Sequence, residues 1–219
     1  MKLPEDILLI DKPKGITSFD VIRRLRKELN IKKMGHAGTL DPLATGLMII
    51  GIESGTKKLH EYLKLPKEYV AEVRIGERRS TGDMEGIILE KKDVAFIDET
   101  EVRSVLTEMI GTLTLPVSAY SAIKKDGVPF YKRARKAEKK GVFIEDVPLR
   151  AMEVYEAELQ SIECAENRCV VTVRFFVGSG TYIRSLGEYL GRQLGYPATL
   201  QNLRRTKIGD FDSKDARAI

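Results

Sequence analysis

The residue types best suited to chemistry stand together in Gly35-His36-Ala37-Gly38-Thr39-Leu40-Asp41-Pro42-Leu43-Ala44-Thr45-Gly46. A carboxylate can attack carbon or carry a proton. Pro42 restrains Asp41 to extended backbone and so fixes where its carboxylate points. The glycines let the chain turn sharply and approach a ligand closely. His36, five residues before the aspartate, can serve as a planar wedge or a hydrogen-bond partner. The same stretch also reads as a structural Asx-turn at Asp41 beside an exposed histidine. On residue types alone that second reading is the commoner one, because Gly/Asp/Pro loops are frequent.

A second group is basic. Lys124, Lys125, Lys132, Arg133, Arg135, Lys136, Lys139 and Lys140 are interleaved with Phe130 and Tyr131. Such a mixture suits phosphate contact combined with packing on bases or sugars, and a solvated loop accounts for it equally well. The whole chain has 37 basic and 32 acidic residues, net +5. That moderate excess fits a protein that meets a polyanion over part of its surface, as it fits an ordinary basic protein. Other chemistries fall away. With two histidines, His36 and His60, and no Cys-x-x-Cys pair, a zinc site built on clustered His and Cys is not expected. No G-x-S-x-G elbow occurs. Gly55-Thr56-Lys57 lacks P-loop spacing, and Gly178-Ser179-Gly180 has Ile183 where a dinucleotide fingerprint needs its third glycine.

These groups need a scaffold. The 219 residues, 42% apolar and 32% charged, suffice for one compact domain over 1–219 with a core of its own. A strand is predicted over 6–10, then a turn at Lys12-Pro13-Lys14-Gly15. Thr17 and Asp20 stand in capping-box spacing before a helix marked by Ile22, Leu25 and Leu29. A Gly/Thr/Pro-rich loop over 34–46 leads into an apolar run over 47–52 and a small helix around 57–63. Tyr69, Ala71, Val73 and Ile75 alternate as in a half-buried strand. Val102, Val105, Leu106 and Met109 mark another helix. Strands near 151–159 and 168–177 flank a turn at Ala165-Glu166-Asn167. Ile183, Leu186, Leu190 and Leu194 mark a last helix, stopped by Gly195 with Pro197 beyond. Irregular alternation of this kind predicts an α+β fold, a mixed or antiparallel sheet with helices packed on it, and a projection over 120–141. No apolar run approaches the ~20 residues of a spanning helix, and no N-terminal leader is visible. Cys164 and Cys169 are expected to be ordinary free thiols, and the protein cytoplasmic, in a reducing compartment.

The Gly35–Gly46 stretch resembles the signature loop of the TruB family of tRNA pseudouridine synthases. The similarity extends through Asp11-Lys12-Pro13-Lys14-Gly15-Ile16-Thr17-Ser18, Lys67-Glu68-Tyr69, Tyr120-Ser121-Ala122-Ile123-Lys124, Gly180-Thr181-Tyr182-Ile183-Arg184-Ser185-Leu186 and Leu203-Arg204-Arg205-Thr206. These blocks run in family order from residue 11 to 206. The resemblance implies the pseudouridine-synthase fold, a mixed and mainly antiparallel sheet flanked by helices with a central RNA-binding cleft. It implies isomerisation of the uridine at position 55 in the T-loop of tRNA, with no cofactor or metal. By the same resemblance Asp41 is the nucleophile or proton-handling carboxylate, and His36 packs where the flipped-out uridine was stacked. Tyr69 stacks on the target base and is a candidate for proton removal, and Arg184 pairs with the catalytic carboxylate. Tyr182 lies beside the substrate, Leu203 lines the uracil pocket, and Lys12 supports the catalytic loop. Lys124, Lys132, Arg133 and Arg135 belong to an RNA-gripping thumb at about 120–141.

The implied partner is tRNA, held by its T-arm stem-loop. A monomer with no obligatory protein partner and no membrane association is expected. Two rival readings are an RNA-binding or tRNA-folding module without catalysis, and a synthase of the same fold acting on another RNA. The chain departs from the family pattern in several places. Residues 76–83 lack the usual Thr-Asp-Thr-Asp run. Leu115, Val117 and Ser118 replace a Gln and paired prolines, and Val177-Gly178 replaces Cys-Ser. The chain ends at Ile219, where family members usually continue into a small RNA-binding domain, so that accessory domain is expected to be absent.

Overall fold

A computed structural model describes residues 4–121, 123–125, 127–144 and 146–219, with the side chains of Lys124 and Lys125 outside the described part. In chain order the elements are β1 (Ile7–Lys12), α1 (Ser18–Leu29), β2 (Met34–His36), β3 (Thr45–Ile52), α2 (Leu59–Lys64), β4 (Lys67–Ile75), β5 (Glu77–Arg79), β6 (Ile88–Lys91), α3 (Glu99–Glu108) and β7 (Gly111–Pro116). They continue with β8 (Lys124–Lys125), β9 (Val128–Pro129), α4 (Phe130–Glu138), β10 (Leu149–Ala165), β11 (Arg168–Val177), α5 (Ile183–Gln193), β12 (Ala198–Ile208), β13 (Phe211–Asp212) and β14 (Arg217–Ala218). The main sheet is mixed, as the α+β expectation requires. Among the described residues no helix is long and apolar enough to cross a membrane.

The chain divides into two compact units, one of residues 1–70, 174–179 and 202–219, the other of 71–173 and 180–201. In the first unit β3 is the hub. It runs antiparallel to β1, with Ile10 opposite Met48, and antiparallel to β2, with His36 opposite Ile50. The last part of β12 joins it in parallel, Gly46 opposite Arg205. Gly46 sits at φ +104, and a Cβ there would overlap the Arg205 backbone, so the close parallel approach requires glycine. Ile7, Leu9, Leu47, Ile49, Leu59, Ile208 and Phe211 form one apolar cluster. The capping box at α1 forms as expected: Thr17 Oγ1 accepts from the Asp20 amide, and the Asp20 carboxylate accepts from the Thr17 amide. The helix buries Val21, Ile22 and Leu25.

In the second unit β7 and β10 pair antiparallel, Leu149 opposite Pro116. A two-residue turn joins β10 to β11, and Glu166 and Asn167 both take positive φ, 50° and 60°, which matches the twist of a hairpin. The helix α3 is capped by Asp98 and buries Val102, Val105 and Leu106. The helix α5 buries Ile183, Leu186 and Leu190.

Several expectations are corrected. Cys164 and Cys169 are not free thiols but form a disulfide. A two-residue hairpin loop sets residues 164 and 169 directly opposite each other, where side chains come closest. The cysteine-based argument for a reducing compartment falls with the free thiols. The loop over 34–46 begins as strand β2, and β3 starts at Thr45 rather than at Leu47. The small helix expected around 57–63 is present as α2, preceded by a 3-10 turn over Glu53–Lys57. The projection over 120–141 contains the β8–β9 hairpin and the helix α4, which buries Phe130 and Ala134 one turn apart. Phe130 therefore anchors the helix instead of standing free for a base.

Candidate functional site

The loop between β2 and β3 carries Asp41 and is fastened on every side within the first unit. Lys12, fully buried, donates from Nζ to the carbonyls of Pro13, Ile16 and Pro42 at 2.9, 2.7 and 3.4 Å. The Gly15 amide donates to the Pro42 carbonyl at 2.8 Å. Ser18 Oγ accepts from the Leu40 amide at 2.8 Å and donates to the Leu40 carbonyl at 2.9 Å. Arg205, 1% exposed, donates through Nε to the Leu47 carbonyl at 2.7 Å and through Nη2 to the Gly38 carbonyl at 3.2 Å. Asp41 thus lies between braced neighbours on both sides, which fixes the backbone from which its carboxylate projects.

His36 ends β2 at the mouth of this loop, half-buried, and its Nδ1 has no hydrogen-bond partner. Burial, reinforced by the Arg205 charge, holds its pKa below the ordinary histidine value, so the ring is neutral at neutral pH. A neutral, planar side chain suits stacking better than ion pairing. Leu203 is buried in β12, and its carbonyl accepts from Thr45 Oγ1 at 3.4 Å, at the far end of the Asp41 loop. Tyr69 lies on the buried side of β4. Lys67, two residues earlier on the same face, donates to the carbonyls of Leu63 and Leu65, both at 2.6 Å. Burial, and then the Arg205 charge, lower its pKa from 10.5 to about 8.

The second unit holds Arg184 and Tyr182, at the start of α5. Arg184 is 6% exposed, and its guanidinium donates to the Thr81 carbonyl at 2.8 Å, to Ser118 Oγ at 2.9 Å and to the Tyr120 carbonyl at 3.4 Å. Asp83, equally buried, faces it at 3.7 Å and is itself held by Thr81 Oγ1 at 2.6 Å and the Glu85 amide at 3.1 Å. Glu188 stands beside them. Burial raises its pKa, and the guanidiniums of Arg184, Arg78 and Arg192 oppose that rise. Tyr182 is the half-buried residue preceding α5. In the thumb Lys132 and Arg135 are exposed and Arg133 half-buried, with Arg135 over the Tyr131 ring at 5.9 Å. Tyr120 Oη donates to Glu138 at 2.5 Å and ties the end of α4 to the base of the projection. Burial, with the Glu138 carboxylate adding to it, raises the Tyr120 pKa. Ala122 and the Lys124 side chain of the expected thumb motif lie outside the described residues.

The first unit therefore gathers Lys12, His36, Asp41, Tyr69 and Leu203, and the second holds Tyr182, Arg184 and the thumb cations. Reading the residues as a sequence missed Asp83, Lys67, Ser18 and Arg205 as functional groups. The signal for the last three was their place inside blocks already singled out. For Asp83 there was none, because the residues around it depart from the family run.

A mixed sheet flanked by helices, with an aspartate in a rigidly braced loop, places the chain among pseudouridine synthases by fold. A chain of a Cbf5-Nop10-Gar1 complex superposes with a TM-score of 0.70 at 27% identity, over 97% of this chain and 52% of that one. A chain of an H/ACA RNP bound to a substrate RNA containing 2′-deoxyuridine gives 0.68 at 27% identity, over 97% and 50%. This chain thus spans about half of each. The model of the TruB family pseudouridylate synthase N-terminal domain matches residues 26–183. A tRNA pseudouridine synthase B from Leifsonia xyli subsp. xyli strain CTCB07 is 39% identical over 216 residues, covering 97% of this chain and 70% of that relative. The one from Corynebacterium efficiens is 37% identical over 210 residues, covering 96% and 69%. The chain belongs to the TruB family.

Proposed function

We propose that this protein isomerises uridine to pseudouridine in tRNA, at position 55 of the T-loop, with Asp41 as the nucleophile or proton-handling carboxylate. The observation that carries the reading is the Asp41 loop, whose backbone Lys12, Ser18 and Arg205 hold through the carbonyls of Pro42, Leu40 and Gly38, in a chain of the TruB family. The reaction breaks the N1–C1′ bond and forms a C5–C1′ bond within one nucleotide. It needs no net oxidation and no water, so side chains suffice. A base inside a folded T-loop is out of reach and must be flipped from the stack. His36, neutral and planar, fills the space it leaves. Tyr69 packs on the extruded base and is the candidate for proton removal. Leu203 supplies apolar wall, Tyr182 further substrate contact, and Lys12 keeps the loop rigid. A carboxylate that must stay ionised away from water needs a permanent cation, and Arg184 takes that role. Lys124, Lys132, Arg133 and Arg135 grip the T-arm phosphates. The protein acts in the cytoplasm as a monomer, without an obligatory protein partner.

Asp41→Asn tests the role directly. The amide keeps the size but neither attacks nor accepts a proton, so pseudouridine formation should vanish while tRNA binding is retained, because a carboxylate facing a polyanion does not aid affinity. Turnover at a substantial fraction of the unaltered protein would refute the assignment.

A further inference from the structure

We propose that the outer face of α1 is a second RNA-contacting surface, on which Phe19 stacks an unpaired base flanking the target while Arg23 and Arg26 take the adjoining phosphates. The inference rests on the reading of the Asp41 loop as the site that receives an RNA base. Phe19 is 54% exposed. A lone exposed apolar residue is ordinary, and the surroundings of this one are what single it out. The guanidinium carbons of Arg23 and Arg26 lie 5.9 and 5.8 Å from its ring centroid, at i+4 and i+7 spacing along one helix face. The ring is flanked by two cations. A π-face beside guanidinium groups is the composition that single-stranded nucleic acid recognises, one part for the base and the other for the backbone.

Charge complementarity favours a polyanion over an apolar protein partner, which would strip water from both guanidiniums without replacing it. The Nε of Arg26 is buried with no hydrogen-bond partner, a donor that a phosphate oxygen can satisfy after a small rotation. Arg23 is paired with Asp20, but that pair is on the surface, the arginine side chain 65% exposed. Exposed pairs of this kind contribute little and exchange partners readily.

The position of the face supplies the second line of support. Ser18 immediately precedes Phe19, and its hydroxyl bonds both the amide and the carbonyl of Leu40. Leu40 is the neighbour of Asp41. The first turn of α1 is therefore fastened one residue from the carboxylate. An RNA that presents a base to Asp41 carries its flanking nucleotides past this turn. None of Phe19, Arg23 and Arg26 has a part in the proposed chemistry, so the surface can be altered without touching it.

The test measures binding of an unmodified tRNA transcript and of its isolated T-arm stem-loop by fluorescence anisotropy at several salt concentrations. The proteins are wild type, Phe19→Ala, Phe19→Trp and the double variant Arg23→Gln with Arg26→Gln. Phe19→Ala should weaken binding about tenfold and Phe19→Trp should restore it, because stacking is available to any aromatic ring. The double variant should lower the log–log salt slope by about 1.4 to 1.8. Single-turnover rates at saturating RNA should stay at the wild-type level in all three variants. Wild-type affinity in Phe19→Ala, failure of Phe19→Trp to restore binding, or an unchanged salt slope in the double variant would overturn the proposal. Wild-type protein that binds the RNA but leaves its uridines unchanged would refute the reading of the Asp41 loop, while the affinities still decide the α1 surface. No RNA binding by wild type would overturn both.

Discussion

Replacing Lys67 by methionine should remove a defined pH dependence from the stability of this protein. Lys67 is 5% exposed, its Nζ hydrogen bonds run to the Leu63 and Leu65 carbonyls and to Ser179 Oγ, and no carboxylate pairs with it among the described residues. Burial and the Arg205 charge bring its pKa from 10.5 down to about 8. The unfolded chain keeps this proton up to about pH 10.5, whereas the folded chain releases it near 8. Between those values the unfolded state binds more protons, so the Lys67 contribution to stability rises with pH across that window. Below pH 8 both states are charged and the full cost of the buried ammonium is present. Each pH unit in the window is worth about 1.4 kcal/mol, or ~3 kcal/mol across it. Urea unfolding of wild type and Lys67→Met at pH 7, 8, 9 and 10 isolates the effect, because tyrosines and other titrating groups cancel in the difference. The hydrogen bonds lost in the variant add an offset that does not vary with pH. From pH 7 to 10 the difference should move by roughly 2–3 kcal/mol in favour of wild type. A difference flat to within a few tenths of a kcal/mol would show that the Lys67 ammonium is well solvated or compensated, and the reasoning about a dry cationic pair with Arg205 would fail.

Asp83→Asn should lower unfolding free energy by ~3 kcal/mol, since it removes one counter-charge from a buried guanidinium, and urea titration reads this directly. Arg184→Lys keeps the charge but loses the planar fork that reaches Thr81, Ser118 and Asp83 together, so pseudouridine formation should collapse in single-turnover assays. Changing Lys132, Arg133 and Arg135 together to glutamine should reduce the log–log salt slope of tRNA binding by about 2 to 2.7. The single-turnover rate at saturating RNA should fall much less than the affinity.

The elements legible in the sequence were those whose order is local. The α1 capping box, the period-2 alternation of β4 and the Glu166-Asn167 turn each depend on residues a few positions apart. The strand β12 was not legible, because Thr199 and Arg205 are buried within it and break the apolar alternation. Its identity as a strand comes from its parallel pairing with β3, which is distant in sequence. The helix α4 was masked by its charges, with Phe130 and Ala134 the sole buried side chains on it. The turn between β10 and β11 is legible from Glu166-Asn167, but the Cys164–Cys169 bond depends on the register of the hairpin, which the turn residues alone do not show. At the site, Asp41 and His36 stood out by motif, whereas Arg205 did not. A sequence shows that a residue is charged but not that it is dry, and Arg205 matters because it is buried against the carbonyls of Gly38 and Leu47.

The most direct measurement is a nucleotide-resolution map of pseudouridine in an unmodified tRNA transcript incubated with the purified protein and nothing else. The expected result is one new pseudouridine, at position 55 in the T-loop, formed without added cofactor, metal or guide RNA and absent when Asp41→Asn replaces wild type. No pseudouridine in the transcript, or modification at another position only, would contradict the assignment.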